Sequence, residues 1–227
     1  MKILMDFTRI QTTSNLEALS QYQRTMESQF DSAKQQAESE LNTWLKDSGE
    51  AAFDEGWPVE IDEYRQTYEF TFPLFLRYSF LVLLFFSLEN ELNRVCDEIA
   101  KRRSLALRVK DIRASGTIAT FRTYLQKVAG LSGLGPTHWE PIMELADLRN
   151  CIVHALGKIP SGNEGERLRQ IVKKTRSLSI SDGDSGQPDV LLITPEYCAQ
   201  AVAIVDKFFD TLFEAADFGP KHIEISE

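Results

Sequence analysis

The sequence has few of the residues that build metal centres or disulfide scaffolds. It contains three cysteines, Cys96, Cys151 and Cys198, which lie far apart with no CxxC pair and no Cys/His cluster. Neither a zinc site nor a disulfide framework is therefore supported, and reduced thiols in a cytoplasmic protein are the simplest interpretation. P-loop, GxGxxG, HExxH, GxSxG and EF-hand patterns are also missing, so we expect no cofactor and no bound metal.

Basic residues are in the minority. The 227 residues include 25 Lys and Arg against 34 Asp and Glu, which gives a net charge of −9. This balance excludes a protein whose whole surface is a basic nucleic-acid interface, although it leaves room for a local basic patch. Hydrophobic residues make up 43% of the chain and aromatic residues 10%, which is enough for a packed core.

The chain also lacks a long uninterrupted apolar run. Its first residues reach Asp6 before any apolar stretch forms, so we expect no secretory signal. Residues 70–88 are nearly long enough to span a bilayer, but Arg77 lies in their middle. An arginine there costs roughly 2.5–3.5 kcal/mol in hydrocarbon. We therefore predict a buried core helix and no membrane partner.

Helical spacing of apolar residues dominates the rest of the sequence, which predicts an all-α bundle. Turn residues between SLSIS and DVLLI predict one small β-hairpin at about 177–194, before the last helix. We divide the chain into an N-terminal helical arm with an acidic connector (1–60) and a helical domain (61–227). The predicted helices cover residues 14–47, 64–103, 117–129, 137–156, 164–174 and 195–216.

Residues that favour helix ends refine these boundaries. Ser14 or Asn15 is the predicted start of the first helix, and Pro73 is expected to kink or split the second. Thr137 to Glu140 reads as a capping box, and Thr194 before Pro195 reads as an N-cap with proline at the first helical position.

Only three histidines are present, and one of them has an informative position. His138 lies in the predicted cap, His222 lies near the end of the sequence, and His154 lies at the end of the helix 137–156. A cationic imidazole is favoured at a helix C-terminus, which suits a role in proton transfer near neutral pH.

Two polar residues precede His154 on the same predicted helix. Asn150 is four residues earlier and shares its face, whereas Arg149 is five residues earlier and about 140° around the helix. Arginine is long enough to reach the same surface, so a phosphate would meet a bidentate guanidinium, an amide and a titratable ring. The alternative is a capping histidine and a solvent-facing arginine.

The string Arg149-Asn150-x-x-x-His154, late in a helix and followed by Gly157, resembles the R-N-x-x-x-H motif of HEPN domains. A long apolar helix that ends in the polar string SLENELNRV precedes it, as in that family. The resemblance covers roughly residues 64–216, whereas residues 1–60 lie outside it.

The resemblance implies a function. Many HEPN proteins are metal-independent endoribonucleases that act as toxins of toxin–antitoxin pairs or as effectors of phage defence, and they dimerise through the motif helices. It implies that His154 acts as general base or acid on the ribose 2′-OH or the leaving 5′-oxygen. Arg149 would hold the scissile phosphate and Asn150 would orient one of the two. The expected partners are RNA, a second copy of the chain and an antitoxin protein, and the expected products are 2′,3′-cyclic phosphate and 5′-hydroxyl ends.

Two other functions remain open: a non-catalytic HEPN-type module that binds RNA, nucleotide or protein, and a structural helical interaction protein. Residues 101–127 hold eight basic residues and one acidic residue, and a second basic stretch spans 167–176. These stretches either hold an RNA backbone or are ordinary helix ends. Glu89 and Glu91 either pair with Arg149 or form structural ion pairs.

Overall fold

A computed structural model describes residues 6–49, 58–181 and 189–219. Over these ranges the helices and their connecting loops are joined by one two-stranded antiparallel hairpin before the last helix, which confirms the predicted fold class. The predicted hairpin tip (182–188), most of the acidic connector (50–57) and His222 lie outside the described residues.

The described elements follow the predicted order. The helices are α1 (Phe7–Ser48), α2 (Val59–Tyr64), α3 (Phe72–Arg102), α4 (Thr117–Thr123), α5 (Pro136–Ala155), α6 (Asn163–Lys174) and α7 (Pro195–Ala215), and the strands are β1 (Leu178–Ser181) and β2 (Val190–Ile193). Two π-helical segments, Arg65–Thr71 and Tyr124–Val128, continue α2 into α3 and extend α4.

The long apolar helix runs without a break from Val59 to Arg102, so of the two effects predicted for Pro73, a kink or a split, the split does not occur. The π-helical turns end just before this proline, so the change in hydrogen-bond register falls in the turn where proline supplies no N–H. By length and composition this is the one described helix that could cross a membrane, a test that the core helix of a soluble protein also passes.

Helix α3 forms the centre of the core. Helices α1, α4, α5 and α7 and strand β2 all pack against it, and its apolar residues Leu81, Leu84, Leu88 and Leu92 have no exposed surface. Arg77, the residue that led us to predict a core helix and not a membrane span, binds neighbouring elements. Its guanidinium donates to both carboxylate oxygens of Glu27 and to the carbonyl of Ile193.

A buried polar cluster fastens α1 to α3. Glu91, which is only 7% exposed, accepts hydrogen bonds from Thr12 Oγ1 and Asn15 Nδ2, each at 2.8 Å, and pairs with Arg94. Leu16, one turn along α1, is buried in the common core. The first half of α1 is therefore held by both apolar packing and a satisfied carboxylate.

The structure corrects two predicted helix starts. Helix α1 begins at Asp6, whose carboxylate accepts from the backbone N–H of Arg9, and not at Ser14 or Asn15. Helix α5 begins after Gly135, whose N–H donates to His138 Nδ1 at 3.2 Å. The imidazole ring thus takes the place predicted for the Thr137 cap. The predicted cap at Thr194 is confirmed.

We expect Glu91→Ala to lower the free energy of unfolding by about 3 kcal/mol, because it leaves the partly buried charge of Arg94 without its partner. Urea denaturation followed by circular dichroism measures the change. Glu17→Ala, on the exposed side of α1, is the control and should change stability by less than about 0.5 kcal/mol. Equal stability of the two variants would show that the cluster does not hold α1.

Candidate functional site

The last turns of α5 carry Arg149, Asn150 and His154, and α5 lies antiparallel against α3. This direction follows from two contacts: Arg149 lies over Phe85, whereas Gly157, just after α5, approaches Tyr78, which is earlier in α3. The motif residues are therefore positioned by the central helix of the fold.

Arg149 is half-buried and held from two sides. Its guanidinium carbon lies 5.3 Å from the centre of the Phe85 ring, and its Nη1 donates to Asn150 Oδ1 at 3.0 Å. Its Nε is buried and has no hydrogen-bond partner within the described ranges. The guanidinium is thus fixed in place, while its Nη2 makes no hydrogen bond to another described residue and remains available for an incoming acceptor.

The structure brings together Arg149 and Asn150 but leaves His154 apart from them. His154 is exposed in the last turn of α5 and makes no hydrogen bond to another described residue. It lies about 6 Å along the helix axis from Asn150, at 1.5 Å per residue, and it does not line the cavity beside Arg149. Within one chain, therefore, the three residues do not form a single pocket.

The cavity beside Arg149 has a volume of about 200 Å³. Its walls come from four helices, of which α4 and α6 are distant in sequence from the motif. The lining residues are Phe85 and Glu89 of α3, residues 115–119 at the start of α4, Met143, Ala146, Asp147, Arg149 and Asn150 of α5, and Arg167 of α6. We call it the Arg149 cavity.

Asp147 and Arg167 form an ion pair at the cavity wall, with 2.7 Å between Asp147 Oδ2 and Arg167 Nη2. Burial raises the pKa of Asp147, and Arg167 acts in the opposite direction. Sequence reasoning counted Arg167 only as part of a basic stretch and did not select Asp147. The position of Asp147, two residues before Arg149 on a predicted helix, was the only available signal.

Of the two glutamates considered beside Arg149, only Glu89 lines its cavity. Its carboxylate makes no hydrogen bond or ion pair with another described residue, and so it does not pair with Arg149. Glu91 belongs to the structural cluster with Arg94, so of the two predicted roles the structural ion pair is the one found.

Several residues of the two basic stretches have structural partners. Arg102 pairs with Asp6 at 2.8 Å, and Arg103 Nη1 donates to the carbonyl of Ala129. In the second stretch Lys174 pairs with Glu144. Arg122 has no ion pair with a described residue and lines a groove of about 540 Å³ between α5 and α6. Within the described ranges, five of the thirteen basic residues of the two stretches form ion pairs, namely Lys101, Arg102, Arg167, Arg169 and Lys174. The fold's own ion pairs therefore account for fewer than half of these residues.

The end of α5 is fixed by a close approach of three segments. Gly157 has a φ of +78°, and its N–H donates to the Cys151 carbonyl at 3.1 Å. Its own carbonyl accepts from Leu191 N–H at 2.9 Å, while the Tyr78 hydroxyl donates to the Leu191 carbonyl at 2.5 Å. Strand β2 and α3 thus hold the chain three residues after His154.

We expect Gly157→Ala to destabilise the protein by about 2–5 kcal/mol, because the backbone there is left-handed and a Cβ would overlap the Tyr78 hydroxyl. Thermal and urea unfolding measure the loss. Gly130→Ala is the matched control: φ is +67° there, but the space around it is open, so only the backbone cost of about 1–2 kcal/mol applies. Equal losses would show that the contact with Tyr78 is unimportant.

Comparison with known proteins adds no family assignment. No family model matches the sequence, and neither a curated protein nor a solved structure matches it. Among the described residues, no group of three or more His, Cys, Asp and Glu side chains is placed to hold a metal ion. The resemblance to HEPN domains therefore rests on the motif and the order of the helices.

Proposed function

We propose that this chain is a metal-independent endoribonuclease that acts as a homodimer. The observation that carries the proposal is the geometry of α5. Arg149 is fixed on Phe85 with N–H groups to spare, and an exposed His154 follows five residues later on the same helix. A rigid guanidinium and a solvent-accessible imidazole are the groups that RNA cleavage without a metal requires.

The reaction moves one phosphoryl group within the RNA, from the 5′-oxygen to the neighbouring 2′-oxygen. A base removes the proton from a ribose 2′-OH, the 2′-oxygen attacks the adjacent phosphorus, and the bond to the 5′-oxygen breaks as an acid protonates that oxygen. This leaves a 2′,3′-cyclic phosphate and a 5′-hydroxyl. Arg149 donates to the non-bridging oxygens as their charge grows, while Asn150 keeps the guanidinium in position.

A dimer supplies both proton-transfer groups. One chain offers a single motif histidine, so His154 of one copy serves as base and His154 of the second copy serves as acid. Exposed apolar side chains on α3 and α5 support association at this place. Among them Phe86 is 61% exposed, Val153 44% and Leu156 66%. Such side chains close to a polar motif are typical of an interaction surface.

In a cell, we propose that the enzyme works in the cytoplasm as a toxin or a defence effector, with an antitoxin protein as a further partner. Expression of the wild-type chain should then arrest growth, whereas expression of His154→Ala to the same level should not.

The position of His154 outside the Arg149 cavity favours one alternative, a non-catalytic module that binds RNA or a nucleotide through that cavity. In this case Arg149 would matter for binding and His154 would not. The variants Arg149→Ala and His154→Ala therefore separate the two functions.

In the presence of EDTA, we expect wild-type protein to cleave RNA and leave cyclic phosphate ends, whereas His154→Ala and Arg149→Ala cleave at least about 10²-fold more slowly. Gel analysis of end-labelled RNA measures the rates and the chemistry of the ends. His138→Ala is the control histidine variant, because that ring caps the start of α5. Equal cleavage by all variants would contradict the proposal, and RNA binding without cleavage would favour the alternative.

We expect Leu156→Asp to convert a dimer into a monomer and to abolish cleavage, because it places a charge among the exposed apolar side chains. Light scattering coupled to gel filtration gives the mass in solution. Leu107→Asp, at a similarly exposed leucine in the loop after α3, should leave both mass and activity unchanged. A wild-type chain that cleaves RNA as a strict monomer would refute the composite site.

A further inference from the structure

The Arg149 cavity is larger than a contact to one phosphate requires. Its volume of about 200 Å³ lies below the range of about 300–1,000 Å³ in which proteins enclose whole drug-sized ligands. It therefore suits a single planar ring system and not a complete nucleotide. Because Arg149 lines it, a ring bound there would be joined to a phosphate held by the same guanidinium.

The charges of the cavity favour a neutral ligand. Arg149 and Arg167 supply two positive charges, and Glu89 and Asp147 supply two negative charges. Asp147 is neutralised by its ion pair with Arg167, which leaves Arg149 and Glu89 to meet a ligand. A carboxylate without a partner repels a phosphate placed deep in the cavity, but it accepts hydrogen bonds from a ligand that carries N–H groups.

The geometry of Arg149 suits a flat ligand. Its guanidinium carbon lies 5.3 Å from the centre of the Phe85 ring, and planar bases of single-stranded RNA stack on arginine planes and aromatic rings. Asn150 uses its Oδ1 to accept from Arg149, so its Nδ2 remains a donor. Ser115 and Thr117 add hydroxyl groups to the lining. The cavity thus offers a stacking surface, several donors and one strong acceptor, Glu89.

Guanine is the base that matches this set. Its N1–H and N2–H donors lie side by side on one edge and meet both oxygens of a carboxylate, while its O6 beside them accepts from an amide or a hydroxyl. Adenine, cytosine and uracil each place an acceptor next to their Watson–Crick donor, and a carboxylate repels that acceptor.

We propose that the Arg149 cavity binds the base of the nucleotide at the cleavage site and selects guanine through Glu89. The inference rests on the proposed ribonuclease function and deepens it, because it names the base that the same site recognises. Glu89 is then a specificity-determining residue, while Arg149 holds both the base plane and the adjacent phosphate.

Titration of the full-length wild-type chain with guanosine, adenosine, cytidine and uridine 3′-monophosphates tests this preference by calorimetry. None of these probes contains a bond that the enzyme can cleave. We expect the guanosine nucleotide to bind at least about tenfold more tightly than the other three, as a bidentate contact to a base provides. Inosine 3′-monophosphate, which lacks the N2 amino group, should have an intermediate affinity.

Glu89→Ala and Glu89→Gln should both remove the preference for guanine, because neither leaves a carboxylate for two N–H donors. Asp97→Ala, an exposed carboxylate two turns further along α3, is the control and should retain the preference. Equal binding of the four nucleotides by wild type, or a preference that survives in Glu89→Ala, would overturn the inference.

The two proposals fail in different ways. RNA cleavage by wild type at all four bases, with no difference among the mononucleotides, would overturn guanine selection and leave the ribonuclease in place. A Glu89-dependent preference for guanosine 3′-monophosphate in a chain that cleaves no RNA would overturn the ribonuclease and support guanine recognition.

Discussion

Burial of α3 is the constraint on which the rest of the structure depends. The middle of this helix is apolar on nearly every side, so a single neighbour cannot remove it from water. Helices from both halves of the chain and strand β2 surround it. At about 25 cal/mol for each Å² of apolar surface, this burial outweighs the individual polar contacts of the fold. The direction of α5, and with it the motif, follows from packing against this helix.

Polar residues on α3 decide which neighbour lies where. Glu91 binds α1, and Arg77 binds both α1 and the hairpin strand, so these buried charges fix the arrangement of elements that apolar packing alone would leave free. Tyr78 reaches across to β2 in the same way, beside Gly157. Helix α3 thereby also fixes both ends of the segment that carries the motif. Phe85 lies against Arg149, and Tyr78 lies beside the turn that follows His154.

The sequence predicts the elements well because apolar spacing is a local property. The helices and the hairpin lie within a few residues of the predicted ranges, apart from the earlier start of α1. The capping residue of α5 was predicted wrongly, because His138 and not Thr137 makes the capping contact. The contact between Arg149 and Asn150 was predictable, because the two residues are adjacent in the sequence. The cavity was not, because its walls join α3, α4, α5 and α6 through packing that no local pattern records.

The spacing within α5 has a chemical consequence. Five residues rotate His154 about 140° from Arg149, and the ion pair and stacking contacts around the cavity belong to the arginine side only. His154 therefore does not share the Arg149 cavity of its own chain. In the symmetric dimer that we propose, each His154 would face the groove between two copies of α5. The separation of the motif residues within one chain is the reason for proposing a site shared between two chains.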